Sequence, residues 1–152
     1  MTYDNLIDEA NKQHIIVKEK ALICFDGLCK GNRIAIRKDI PTIREKKCVL
    51  AEELGHYYLT VGNILNQDKV ENRKQEYKAR VWSYDKLVGL YGIIDSFKHR
   101  CTNLYEMSEY LDVTESFLLE SINHYKSKYG LCTKLDNYII YFEPALAVIE
   151  LF

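Results

Sequence analysis

An α+β fold, a small β-sheet with surrounding helices, is what this sequence predicts. The chain has 152 residues, the size of one ordinary domain, and 47% of them are hydrophobic, enough for a full core. Apolar residues recur at helical spacing in several long segments, and short apolar runs bounded by turn signals lie between them. Neither proline, Pro41 or Pro144, sits in a linker-like stretch, and no internal repeat stands out. Residues 1–152 read as a single domain.

Residues 3–13 carry Leu6, Ile7 and Ala10 at helical spacing, so the chain opens with a helix. Ile15 to Val17 and Ala21 to Cys24 read as short strands, and Asp26-Gly27 and Gly31-Asn32 as turns. The run Arg33-Ile34-Ala35-Ile36-Arg37-Lys38 fits a strand exposed on one face. Basic side chains at both ends suit the edge of a sheet. Pro41-Thr42 starts a helix that runs through Cys48, Val49, Leu50, Leu54, Tyr57 and Tyr58 and stops before Gly62. A long polar helix follows, roughly Lys69 to Leu87, with Ala79, Trp82, Leu87 and Val88 as its buried stripe. Residues 104–129 form two more helices, broken near Asp112-Val113-Thr114, and the Thr114 hydroxyl can cap the second. Tyr138 to Phe142 is strand-like, and Ala147 to Phe152 reads as a last short strand or helical turn.

Composition narrows the function classes. A formal net charge of -1 gives no bulk attraction to nucleic acid or to an anionic membrane. Met1 to Gln13 lacks the apolar core of a signal peptide, and no stretch approaches the roughly 20 apolar residues of a membrane span. The expectation is a soluble, cytoplasmic protein with no membrane partner. Five cysteines, an odd number without C-x-x-C spacing, read as reduced thiols in mostly apolar surroundings. Met107 to Leu118 has the cadence of a helix-turn-helix, but the second helix opens with Glu115 and Ser116 and continues to Glu120. Such a helix disfavours phosphate, so the segment reads as a structural hairpin without direct nucleic-acid contact.

The chemistry lies in Leu50-Ala51-Glu52-Glu53-Leu54-Gly55-His56-Tyr57. In a zincin, H-E-x-x-H on a helix puts two metal ligands at i and i+4 on one face, and the glutamate at i+1 is the general base. Here the pattern is E-E-x-x-H, with Glu52 at the first ligand position, Glu53 at the base position and His56 at the second ligand position. Spacing alone is weak support. Three of the four histidines follow an acid by four residues: Glu52 and His56, Asp95 and His99, Glu120 and His124. An exposed pair of that kind is an ordinary helix-surface contact. Only His56 has a second acid at the base position, where Ser96 and Ser121 stand in the other two. Its segment alone is apolar enough to be a buried helix, where carboxylates must be paired or bound to metal. A second helix then offers a third acid, Glu76.

The run from Cys48 to Tyr58, followed by Glu71-Asn72-Arg73-Lys74-Gln75-Glu76, resembles the ImmA/IrrE family of metallo-endopeptidases, in the form found in phages and mobile elements of Gram-positive bacteria. Gly31 to Ile36 is similar to the family's strand before the active-site helix, and the likeness extends from about Leu6 to about Gly130. The resemblance implies a zincin-like fold with an E-E-x-x-H active-site helix. It implies one zinc, held by His56, Glu76 and Glu52, and Glu53 as general base; this many carboxylates make manganese the alternative. It also implies a helix-turn-helix repressor as the protein substrate, whose cleavage releases silenced genes. Glu52 stands where the family has histidine; carboxylate oxygen also ligates zinc. Two carboxylates would cancel the charge of a divalent ion and dampen the site.

Alternatives stay open. His56, Glu53 and Glu76 can instead form a buried hydrogen-bond network that ties two helices together. Glu52 can point past the metal to an arginine or to solvent. The strand around Ala35 is expected to be the docking edge for an extended substrate. Tyr57 and Tyr58 flank the motif, and Tyr57 is expected to line the cleft. A catalytically weak module that sequesters a repressor without cleaving it is the competing function.

Overall fold

The computed structural model describes residues 1–60 and 69–152. Among them are six helices and two three-stranded sheets, an α+β architecture. The chain divides into two compact units, Met1–Ser83 and Tyr84–Phe152.

In the first unit, α1 (Tyr3–Lys12) begins at Thr2, whose hydroxyl accepts from the Asn5 amide while the Asn5 side chain accepts from the Thr2 amide. This reciprocal cap satisfies two amides that a helix start otherwise leaves bare. Strands β1 (Ile16–Lys20), β2 (Gly27–Lys30) and β3 (Arg33–Arg37) form a sheet in the order β1-β3-β2. Strands β2 and β3 are an antiparallel hairpin across the expected turn at Gly31-Asn32, while β1 runs parallel to β3.

Two expectations need correction here. Ala21–Cys24 forms no strand; the strand is β2, which begins at Gly27. And β3 is the middle strand, with Ala35 paired to Lys18 on one side and Leu28 on the other, so it offers no docking edge at Ala35. The physical reason lies in the pleat. Ile34 and Ile36 are buried on the inner face. Arg33 and Arg37 alternate with them, so their charge marks the outer face of a central strand.

Helix α2 (Ile43–Thr60) packs on the inner face of this sheet, its Leu50, Ala51 and Leu54 fully buried. Thr42, rather than Pro41, is the residue before the first turn, and its hydroxyl accepts from the Glu45 amide. The expected end of α2 before Gly62 lies outside the described residues. Lys46 on α2 reaches Glu19 on β1 at 2.8 Å, which pins helix to sheet. Lys47, fully buried, donates to the Met1 carbonyl. Helix α3 (Lys69–Leu87) has the predicted span and carries Glu76 and buried Ala79 in the first unit.

The second unit holds α4 (Gly89–Lys98), α5 (Leu104–Leu111), α6 (Glu115–Tyr129) and a second sheet. That sheet, β4 (Cys132–Leu135), β5 (Tyr138–Tyr141) and β6 (Ala147–Glu150), is an antiparallel meander, where a single small sheet was expected. The break at Asp112 is left-handed, and Thr114 caps α6 as expected. Buried Ile93, Met107, Val113, Leu118 and Ile140 form the core. No helix among the described residues is long and apolar enough to cross a membrane.

Candidate metal centre

Four side chains from two helices meet in the first unit. One face of α2 presents Glu52 and His56 a helical turn apart, as i and i+4 must. Helix α3 brings Glu76 opposite, with its Oε2 at 3.4 Å from the Nε2 of His56. Ligand atoms of Glu52, His56 and Glu76 all lie within 4.8 Å of one another. Tetrahedral zinc, with bonds of about 2.0–2.1 Å, holds its ligand atoms about 3.3 Å apart. The histidine–glutamate separation already fits that value. The Glu52 ligand atom lies within 4.8 Å of the other two and has to come closer to join them on one ion. One imidazole nitrogen and two carboxylates suit zinc, and manganese next.

The two helices approach closely because Gly55 lets them. A Cβ at Gly55 would stand 2.5 Å from the Ala79 carbonyl oxygen, inside van der Waals contact. That glycine, one residue before His56, sets how near Glu76 comes.

Glu53 lies behind these three, only 9% exposed. Burial pushes its carboxyl up to about 8, and the charges of Glu52 and Glu76 add to the effect. Its neighbour across the sheet edge is Gly27. A Cβ there would stand 2.6 Å from the Glu53 Oε1 and 2.8 Å from Val49 Cγ1. Strand β2 thus begins at a glycine that makes room for the buried acid. Cys29, two residues on, also lines the site; burial first and Glu53 second push its thiol up to about 11, so it stays protonated and unreactive.

The side chains open into a cleft of about 490 Å³. Its other walls are Phe25, Leu28, Asn72 and Gln75. Phe25 is largely exposed. Strand β2 forms one side and has no second strand partner among the described residues. Its outer edge is where an extended chain can pair.

Of the residues singled out by sequence, Glu52, Glu53, His56 and Glu76 come together. Ala35 and Tyr57 do not line the cleft. Tyr57 packs edge-on against Tyr58, at 5.2 Å between centroids, and Tyr58 against Trp82 at 5.1 Å. The open edge beside the site is β2, which the sequence reading missed. Arg80 was also unnamed: its Nε lies 3.3 Å from the Glu52 Oε1. The signals available were the glycines. A helix-interior glycine such as Gly55 is unfavourable unless a neighbour comes close, and so is a strand glycine such as Gly27. Compared with family models and with curated proteins, the chain matches none.

Proposed function

We propose that this chain is a divalent-cation-dependent endopeptidase of zincin type, with zinc the first choice and manganese the second. The observation that supports it is the convergence of Glu52, His56 and Glu76 in front of a buried glutamate, beside an open strand edge. His56 and Glu76 hold the cation, and Glu52 completes the set through a carboxylate that Arg80 also engages. When bound, the cation supplies a Lewis acid that activates a water and polarises a peptide carbonyl.

The remaining steps belong to the protein. An extended substrate pairs along β2, and Phe25 and Leu28 at the rim cover its apolar side chains. Glu53, whose ionised form a cation beside it favours, takes the proton from the attacking water and gives it to the leaving amine. The substrate is a protein partner, and the family resemblance makes it a helix-turn-helix repressor whose cleavage changes gene expression in a phage or mobile element. Purified protein, prepared without chelators, should carry one zinc or manganese per chain by elemental analysis. Equal metal in wild type, His56→Ala and Glu76→Ala would sink the assignment.

The Arg80–Glu52 ion pair favours a second reading. A Glu52 held by arginine donates less to a cation, and the same groove would then sequester a repressor without cutting it. Stoichiometric binding of the partner with no cleavage at any pH or metal loading would select this reading.

A further inference from the structure

The outer face of the first sheet carries a second surface that shares only Leu28 with the cleft. Strand pairing puts Ile16, Arg33 and Lys30 in one row across it and Lys18, Ala35 and Leu28 in the next, with Lys20 beyond Lys18 on β1. These side chains line a shallow groove of about 290 Å³. Ile16, Ala35 and Leu28 make an apolar band, and Ile16 and Leu28 are 45% and 43% exposed. Lys18 and Lys20 flank the band on one side, Lys30 and Arg33 on the other. Among the described residues none of these four cations has a carboxylate partner. Glu19, between the two lysines of β1, points to the other face and pairs with Lys46. The chain as a whole has a net charge of -1, so four cations around one apolar band are a local concentration.

We infer that this sheet face docks an acidic amphipathic helix of a partner protein. Strands about 4.8 Å apart and a rise of about 3.3 Å per residue make the diagonal from Ile16 to Leu28 about 12 Å long, which is two turns of a helix. A helix laid there buries an apolar stripe on Ile16, Ala35 and Leu28 and offers carboxylates to the cations on both sides. The groove is lined by no aromatic side chain on which a base could stack, which disfavours single-stranded nucleic acid. Leu28 borders both this groove and the cleft, so the two surfaces are continuous at β2. Resting on the peptidase reading, the docked helix belongs to the protein whose neighbouring segment enters the cleft. Docking itself needs neither metal nor cleavage.

The test uses a fluorescein-labelled helical peptide with a leucine stripe flanked by glutamates, titrated with full-length protein and followed by anisotropy. Wild type should bind, and affinity should fall as salt rises. Changing Lys18, Lys20, Lys30 and Arg33 together to Gln should weaken binding by at least about tenfold. Changing the three lysines to Arg should retain it. Glu53→Gln, which disables the proposed cleavage, should bind like wild type, so loss of the peptidase reading leaves this result intact. No binding, or equal binding by the Gln variant with an unchanged melting curve, overturns the inference. Tighter binding of duplex DNA or of phosphatidylserine vesicles than of the peptide overturns the choice of partner.

Discussion

Helices α2 and α6 each carry an acid and a histidine four residues apart, and the two pairs meet different surroundings. On α2, His56 faces Glu76 of another helix, Glu52 stands a turn away, and a buried acid lies behind. On α6, Glu120 accepts a hydrogen bond from the Tyr84 hydroxyl, and His124 lies among the rings of Tyr84 and Tyr125. Burial lowers the pKa of His124, which favours its neutral form. The third pair is more local still: Nδ1 of His99 contacts the backbone carbonyl of Asp95. Identical spacing yields a three-residue cluster of ligand atoms in one place and ordinary packing in two. What separates them is the element opposite: a carboxylate from α3 at the first, aromatic rings at the second.

The sharpest way to break this comparison is to remove each histidine and its partner acid. His56→Ala and Glu76→Ala should lose the bound cation, whereas His124→Ala and Glu120→Ala should keep it at wild-type stoichiometry by elemental analysis. Loss of metal from the α6 variants would mean that spacing alone recruits it. Next in size is the base. Glu53→Gln should retain the cation and reduce cleavage of the partner by about 10²–10⁴-fold, while Ser121, at the equivalent place on α6, can become Ala without effect. Cleavage at the wild-type rate by Glu53→Gln would remove Glu53 from the mechanism.

The buried acid also has a signature that needs no substrate. Unfolded, Glu53 ionises near 4.5; folded, it keeps its proton up to about 8. Between those values Glu53 holds more proton in the native state than in the unfolded chain, so its own contribution to stability is greatest below about 4.5 and declines as pH rises to about 8. The decline is about 5 kcal/mol at most. Chelator-treated protein should show it in urea titrations across that range, and Glu53→Gln should flatten it. An added divalent cation should also flatten it, because positive charge beside Glu53 favours the ionised form. The same pH dependence in the chelated wild type and in Glu53→Gln would mean that Glu53 is already ionised across this window.

A smaller effect belongs to the glycine that accommodates this acid. Gly27→Ala places a methyl group against the Glu53 carboxylate and Val49, so something must shift. The expected loss is about 1–3 kcal/mol, the usual size for overpacking, read from the urea midpoint. Double replacement with Glu53→Ala should recover part of it, since the carboxylate is one of the two groups in the way. Full additivity of the two changes would place the clash elsewhere.

Much of this was legible from residue pattern. The bounds of α3, the cap at Thr114 and the meeting of Glu52 with His56 follow from helical periodicity and capping chemistry, which are local. The open edge was not legible, because β2 is Gly27-Leu28-Cys29-Lys30, a run with little strand propensity that exists by pairing with β3. Helix α4 was missed for a similar reason: Gly89 and Gly92 dilute its pattern, and burial of Ile93 and Ile94 sustains it. The arginine near Glu52 was foreseen as a kind of partner, but its number depends on how α3 lies along α2, which spacing within one helix does not specify.

That arginine supplies the smallest and most discriminating effect. Arg80 and Glu52 are 3.3 Å apart, with about half of the Arg80 side chain and a third of the Glu52 side chain exposed. An ion pair so open to water contributes about 0–1 kcal/mol. The same guanidinium, however, sits within reach of a carboxylate that a cation would use. It draws charge from Glu52 and repels a dication through space. Arg80→Gln should therefore leave folding stability almost unchanged and raise cation affinity by a few-fold, at most about tenfold. Competition with a chromogenic chelator measures the affinity, and rising ionic strength should shrink the difference between variant and wild type. Were Arg80 instead an orienting partner that aims Glu52 at the metal, its removal would weaken binding by about 10–100-fold. The sign of the change decides whether Arg80 restrains the site or builds it. On α6 the comparable contact brings an uncharged hydroxyl, that of Tyr84, to Glu120, and it should give no cation-linked change when Tyr84 becomes Phe.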